Sequence, residues 1–568
     1  MRGPVAPRDP EKKRDFYYLT KDKEMFAFPT PDGKGLTPIY LDGGRLIEAS
    51  KFVGNLTDES IIDMLRTASG FKKLVHSIGV AIEGCDRDKV CNFVFQFYGK
   101  NDTLGGGTML EMPVKCDGSE HCLDLSQIDL TEEDKEVGQI RFEYDESGFT
   151  ARSCVKIYLN DGYTAPKQDE DAPCDLTSSV FAEYVKQSVT QVGNTYRFNK
   201  ALQKAKDGKD TYVAFIGGSI TQGAGAAPIN TECYAYKAFK AFKKLAGGGD
   251  NIHYVKAGVG GTPSELGMLR YDRDVRNNGE IDPDVVIVEF AVNDEGDETK
   301  GVCYESLIRK ILKGKNSPAV LLLFSVFAND YNLEERLSPV GEAYDLPMVS
   351  LKSCVTEQFY KTKETGRVIT KAQYFYDVFH PTNIGHTVMA MCIEQLMNDM
   401  AATESAEDTD YSKVVSPKGI DFEDVMLFDK KDKPVEAVID EGDFDETDTD
   451  LQRAEMNLDI EGTAQFPYNW KFNAAKHGAL QKPFKMDITA KRLLVINKDS
   501  ADPNVGKADV FVDGEFVRTI DPHLNGWTHC NPLIILNDTE SKLRHVEIKM
   551  AAGDEDKSFT ILGFGVVE

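Results

Sequence analysis

The stretch Val213–Gly225, VAFIGGSITQGAG, decides the fold. An apolar run breaks on two glycines, Ser219 and Thr221, and a helix-compatible run follows. In an open parallel sheet, ligands bind outside the carboxyl ends of the strands, where the chain turns into a helix. Ser219 is therefore expected at that edge with its hydroxyl exposed. The two preceding glycines permit a tight turn and close approach, and the unpaired N–H groups of the helix start can stabilise negative charge. A phosphate-cradling loop is the weaker reading, because the stretch lacks both a Lys-Ser/Thr ending and a literal G-x-G-x-x-G.

Outward from this stretch, strand-like runs at Tyr212–Ile216, Ile252–Lys256, Val285–Phe290, Val320–Phe327 and Met348–Leu351 alternate with helical segments at Glu232–Leu245, Tyr304–Lys313 and Ile384–Met400. A helical stretch from Ser178 to Lys206 precedes them. Apolar strands separated by amphipathic helices predict an α/β domain with a parallel sheet covered on both faces. Toward the N-terminus, period-two runs at Asn92–Tyr98, Gln139–Tyr144 and Cys154–Leu159 predict an antiparallel β-sandwich interrupted by a helix at Glu59–Ser69. An acidic connector follows Pro166, and the acid-rich segment Ala401–Glu455 reads as a second, solvated connector. Runs at Leu493–Ile496, Ala508–Val512, Leu533–Leu536, His545–Met550 and Phe559–Val566 predict a second sandwich. The expected domains are thus 1–177, 178–405 and 406–568.

Composition excludes several classes. The 568 residues are 41% hydrophobic and 28% charged, ordinary values that argue against disorder or a fibre. A net charge of -27 disfavours nucleic acid and anionic lipid as partners. The longest apolar runs, such as Ala319–Ala328, are too short to span a bilayer. The start, MRGPVAPRDPEKKRDFYY, lacks an apolar h-region, and 11 scattered cysteines suggest reduced thiols, so a cytoplasmic location is expected.

A serine hydroxyl needs a base to remove its proton as it attacks. Asp377-Val378-Phe379-His380-Pro381 offers one: His380 as base, with Asp377 three residues earlier to orient the imidazole. Acyl transfer also needs donors for an oxyanion. Gly261, in the glycine block Gly258–Gly261, and Asn293, in Ala291–Asp294, follow two further strands and supply an N–H and an amide.

These four blocks, in this order and spacing, resemble the SGNH (GDSL-like) hydrolases over roughly residues 199–400. The resemblance implies a three-layer flavodoxin-like core with Ser219 as nucleophile and first oxyanion donor. It gives Gly261 and Asn293 as the other donors, and Asp377 with His380 as the rest of a triad, with no metal or organic cofactor. Many members have Asn where this chain has Lys256, a position taken as structural. The Gly-Gly-Ser-Ile-Thr form with attached β-modules is most similar to carbohydrate acetyl esterases. The expected partner is therefore an acetylated oligosaccharide or polysaccharide of the xylan or mannan class. Other acyl donors (a lipid, a thioester, a peptidoglycan acetyl group) and a non-catalytic sugar-binding protein are the alternatives.

Four further features have plainer readings. His386 lacks an Asp partner and is expected on a helix surface. Cys116–Cys122 holds three zinc-type ligands without a fourth and reads as a polar loop. Asp443–Asp450 reads as a solvated acidic loop rather than a calcium site. Trp470 is expected in the core, whereas Trp527, in the turn-like Asn525–His529, suits a surface contact with a sugar ring.

Overall fold

The computed structural model describes residues 14–99, 107–125, 128–168, 173–477 and 482–568. Residues 1–13 and part of the connector after Pro166, both considered above, lie outside them. The central sheet has six strands in the spatial order Val189–Gln191, Met348–Ser350, Ala319–Phe324, Val285–Glu289, Thr211–Gly217, Ile252–Gly258. The last five are parallel, while Val189–Gln191 runs antiparallel to Met348–Ser350. The sheet is therefore mixed, and the continuous helix expected over 178–206 is two helices, Ser179–Gln187 and Tyr196–Lys206, flanking that edge strand. Ser178 caps the first by accepting from Phe181 N. Gly193, at φ +62°, takes a left-handed conformation after the strand and prevents the helix from resuming at once.

Alternation along Thr211–Gly217 builds two cores. Val213 and Phe215 face Phe181, Phe198, Phe242 and Val388, whereas Ala214 and Ile216 face Leu266, Leu307, Ile311 and Leu337. Each such large apolar side chain contributes about 1.5–3 kcal/mol on burial, and together they hold the strand ends in one rigid rim.

In the N-terminal region, a four-stranded and a five-stranded antiparallel sheet contribute to one core that joins Val80 and Ile157 to Phe93 and Phe142. The helix expected at 59–69 is two short helices, Glu59–Met64 and Ala68–Leu74, because Asp58 and Thr67 each cap a new start. In the C-terminal region, eight strands join one hydrogen-bonded sheet. The runs at 533–536 and 545–550 belong to a single strand, His529–Met550, that pairs with Phe484–Asp499 across two register shifts. Trp470 is fully buried against Phe484 and Phe564.

The acid-rich segment is not simply solvated. Phe422, Val425, Phe428 and Phe444 are buried, and Phe422 shares a core with Leu266, Leu494 and Cys530. Within the expected acidic loop, Asp448 is buried, 3.0 Å from Lys498 Nζ and 2.8 Å from Thr560 Oγ1. Asp445 pairs with Lys476 and His477. Partners from the helix Ala474–His477 and the strand Phe484–Asp499 hold these carboxylates, which composition within the segment alone does not reveal.

Candidate active site

Thr211–Gly217 ends in Gly218, and Ser219 opens a four-residue helix, Ser219–Gln222. Gly218 is required there: an added Cβ would lie 2.1 Å from Asn293 Oδ1. Asn293 stands in the turn after the neighbouring strand Val285–Glu289, with its backbone N–H on Phe290 O at 3.1 Å. Gly261 follows Ile252–Gly258 and has φ +71°, a left-handed conformation. Three strand ends thus bring Ser219, Asn293 and Gly261 to one crevice.

The fourth contribution is the loop between Tyr374 and Asn383, pinned by the Phe375–Pro381 bridge. His380 Nδ1 lies 2.8 Å from Asp377 Oδ2, and His380 Nε2 lies 2.9 Å from Ser219 Oγ. A carboxylate only accepts, so Nδ1 carries the proton and Nε2 is left to accept the Ser219 hydroxyl. Asp377 also accepts the backbone N–H groups of Phe379 and His380 at 2.8 and 2.9 Å. Burial pushes its carboxyl up, but the imidazole and these N–H groups outweigh that and hold it below the usual aspartate value. The arrangement can pass a proton from Ser219 Oγ to an oriented imidazole beside two strand-end donors.

Apart from Lys256, whose position was taken as structural, the supporting groups escaped the sequence reading. Glu289 is buried and accepts Thr221 Oγ1 at 3.3 Å, from the short helix that Ser219 opens. Burial lifts its carboxyl to about 7 against the Ser325 and Thr221 hydroxyls. Asp294 accepts Ser264 N and Oγ, each at 2.7 Å, tying the Asn293 turn to the helix Ser264–Asp274. Burial and the nearby Asp297 raise Asp294 to about 8. Lys256 is buried and donates to Gln222 O at 2.7 Å, closing the end of the Ser219 helix. From the N-terminal module, buried Lys23 donates to Ala372 O at 3.3 Å and to Phe375 O, under the Asp377–His380 loop. From the C-terminal module, His529 Nε2 donates to Gly261 O at 3.1 Å, and Gln452 Nε2 donates to Gly260 O at 2.8 Å. Nothing in the local sequence around Lys23, Gln452 or His529 marks them, because their partners lie hundreds of residues away.

Trp527 is 40% exposed and stands at the rim, where a Cβ on Gly261 would meet its Cζ2 at 2.8 Å. His386 departs from expectation. It is fully buried, its Nδ1 accepts Tyr234 N at 3.2 Å, and its Nε2 donates to Ala224 O at 3.1 Å. Burial lowers it to about 3, so it is a neutral strut between helices rather than a surface group. Nor is Cys116–Cys122 a loop: Asp117–Asp124 is an edge strand paired with Val75–Gly84. Its side chains therefore alternate between faces, and no group of three or more metal-type ligands occurs among the described residues.

Residues 215–388 match the GDSL-like Lipase/Acylhydrolase family. The match covers most of the α/β domain that carries these strand-end side chains. With β-rich modules on either side, the chain is a carboxylic ester hydrolase. Among solved structures it is similar to a two-domain esterase (CEX) active on acetylated mannans, with 26% identity over 67% of this chain and 98% of that one and a TM-score of 0.56. It is likewise similar to that type of esterase co-crystallised with mannopentaose, at 26% identity over 67% and 97% of the two chains and a TM-score of 0.55. No curated protein matches the sequence.

Proposed function

We propose that the chain removes O-acetyl groups from plant-type oligosaccharides or polysaccharides of the mannan or xylan class through an acyl-enzyme. The observation that carries this reading is the hydrogen-bonded run from Asp377 through His380 to Ser219 Oγ, at 2.8 and 2.9 Å. Ser219 Oγ attacks the acetyl carbonyl carbon while His380 Nε2 takes its proton. The N–H groups of Ser219 and Gly261 and the Asn293 carboxamide receive the charge on the former carbonyl oxygen. The intermediate collapses as the imidazolium returns its proton to the departing sugar oxygen, leaving Ser219 acetylated. Water, deprotonated by the same imidazole, then attacks the acetyl carbon; the imidazolium returns that proton to Ser219 Oγ as the ester bond breaks, and acetic acid leaves and ionises to acetate. Atoms and protons balance in this scheme without a cofactor.

The likeness to an esterase active on acetylated mannans supports a carbohydrate substrate, as does the exposed Trp527 face beside Gly261. We further read the central domain as a three-layer flavodoxin-like core between two β-sandwich modules, divided near residues 178 and 405; the strand order and the two cores flanking the sheet support this. Mass spectrometry of acetylated manno- and xylo-oligosaccharides is expected to show stepwise loss of acetyl groups, with Ser219→Ala slowing it by about 10⁴-fold or more. A nitrophenyl ester series that favours octanoate over acetate would overturn the substrate assignment.

A further inference from the structure

We infer that Gln452, contributed from outside the hydrolase domain, is a positioning residue that sets the Gly261 N–H on the oxyanion. The inference rests on the acyl-transfer reading above. A peptide group is planar and trans, so the Gly260 carbonyl and the Gly261 N–H lie in one plane and point in opposite directions. Whatever holds that carbonyl aims that N–H. Flanked by two glycines, this plane has no Cβ on either side to resist rotation. Turned over, it would present a carbonyl oxygen to the developing charge in place of a donor. Gly260 is close to the nucleophile, since an added Cβ there would lie 3.7 Å from Ser219 Cβ. The Gly261 N–H has no hydrogen-bond acceptor among the described residues.

Gln452 Nε2 donates to Gly260 O at 2.8 Å, while its Oε1 accepts the backbone N–H of Cys530 at 2.9 Å. Gln452 is buried, so turning its amide over would cost both bonds. The next carbonyl is held separately: His529 Nε2 donates to Gly261 O, and Asp499 Oδ2 lies 3.1 Å from His529 Nδ1. The side chain that aims the donor is thus itself aimed by a strand of the C-terminal sheet.

The test uses the full chain and 4-nitrophenyl acetate, so that it does not depend on which sugar is the substrate. Gln452→Glu keeps the length and an acceptor for Cys530 N but faces the Gly260 carbonyl with no donor at pH 8. Its kcat is expected to fall about 10–10²-fold, approaching the loss of an oxyanion donor, with KM nearly unchanged. Affinity for an arylboronic acid, whose tetrahedral adduct needs the same donor, is expected to fall by a similar factor. Gln452→Met is expected to behave alike and serves if the Glu variant does not fold. A folded variant with unchanged kcat overturns the inference. So does a boronate-bound structure of the unaltered protein in which the Gly261 N–H points away from the boronate oxygen. If Ser219→Ala retains hydrolysis, the acyl-transfer reading itself falls. If Ser219→Ala is dead and Gln452→Glu is fully active, only this inference falls.

Discussion

The two β-rich modules hold opposite lips of the same crevice, and they do so with different chemistry. On the N-terminal side a buried lysine amine is used. Lys23, on a strand with register shifts on its N-terminal side, is buried beneath the base loop with the carbonyls of Ala372 and Phe375 as its partners. The Arg45 guanidinium lies 5.6 Å from the centre of the Phe379 ring, next to His380. On the C-terminal side, Gln452 bonds to Gly260 through a neutral amide, and Asn457 exchanges bonds with the backbone of Lys256 at 2.9 and 3.0 Å. Burying a charge is costly and makes its protonation depend on the fold, whereas a buried amide pair does not titrate. The difference teaches that the Lys23 contact to the base loop depends on pH, whereas the Gln452 and Asn457 contacts on the C-terminal side do not titrate.

Lys23→Met should break the contrast most severely. It leaves two carbonyls under the base loop without their donor, at about 1–3 kcal/mol each. A shift of the loop lowers kcat by about 10–10²-fold, measurable on 4-nitrophenyl acetate together with the melting temperature. The pH sign follows from burial, which lowers Lys23 from 10.5 to about 7, with Asp377 opposing the shift. Between those values the unfolded chain binds a proton that the native protein has shed, so this residue's contribution to stability rises with pH. The melting-temperature gap between wild type and Lys23→Met should therefore widen from pH 7 toward pH 10; a constant or narrowing gap contradicts the lowering of Lys23 by burial.

A smaller effect is expected on the C-terminal lip. Trp527→Ala should raise KM for acetylated manno-oligosaccharides by about 2–10-fold, the scale of one aromatic contact, and raise it less for 4-nitrophenyl acetate. Equal changes on both substrates would make Trp527 a prop for Gly261 rather than a sugar platform. The smallest effect concerns the buried carboxyl beside Thr221. Burial raises Glu289 from 4.5 to about 7. Within that window the native protein keeps a proton the unfolded chain has lost, so its stability falls as pH rises. Glu289→Gln cannot titrate and should gain in melting temperature relative to wild type between pH 4.5 and 7, which differential scanning fluorimetry across that range would test.

Much of the hydrolase domain was legible in the sequence because its signals are local. Most parallel strands are apolar runs, and three of the four blocks sit immediately after a strand. The edge strand Val189–Gln191 was hidden because three residues between two helical segments carry almost no periodic signal. His386 was expected on a surface because it lacks an Asp partner, but its helix, Asn383–Ala402, is apolar on most sides and so is buried on them. The burial of Asp448 was concealed within an acidic run, since its partner Lys498 comes from a strand 50 residues further on.

By itself the sequence determined the α/β core, the order of its strands along the chain and the four blocks that carry Ser219, Gly261, Asn293, Asp377 and His380. These follow from short-range patterning, which hydrophobic burial and backbone hydrogen bonding read over a few residues at a time. Only the tertiary structure decided which distant side chains hold those blocks in place: Lys23 under the base loop, and Gln452 and His529 on the glycine loop. Such contacts depend on the packing of whole modules, and a hydrogen bond between residues nearly two hundred positions apart leaves no mark on the sequence around either of them.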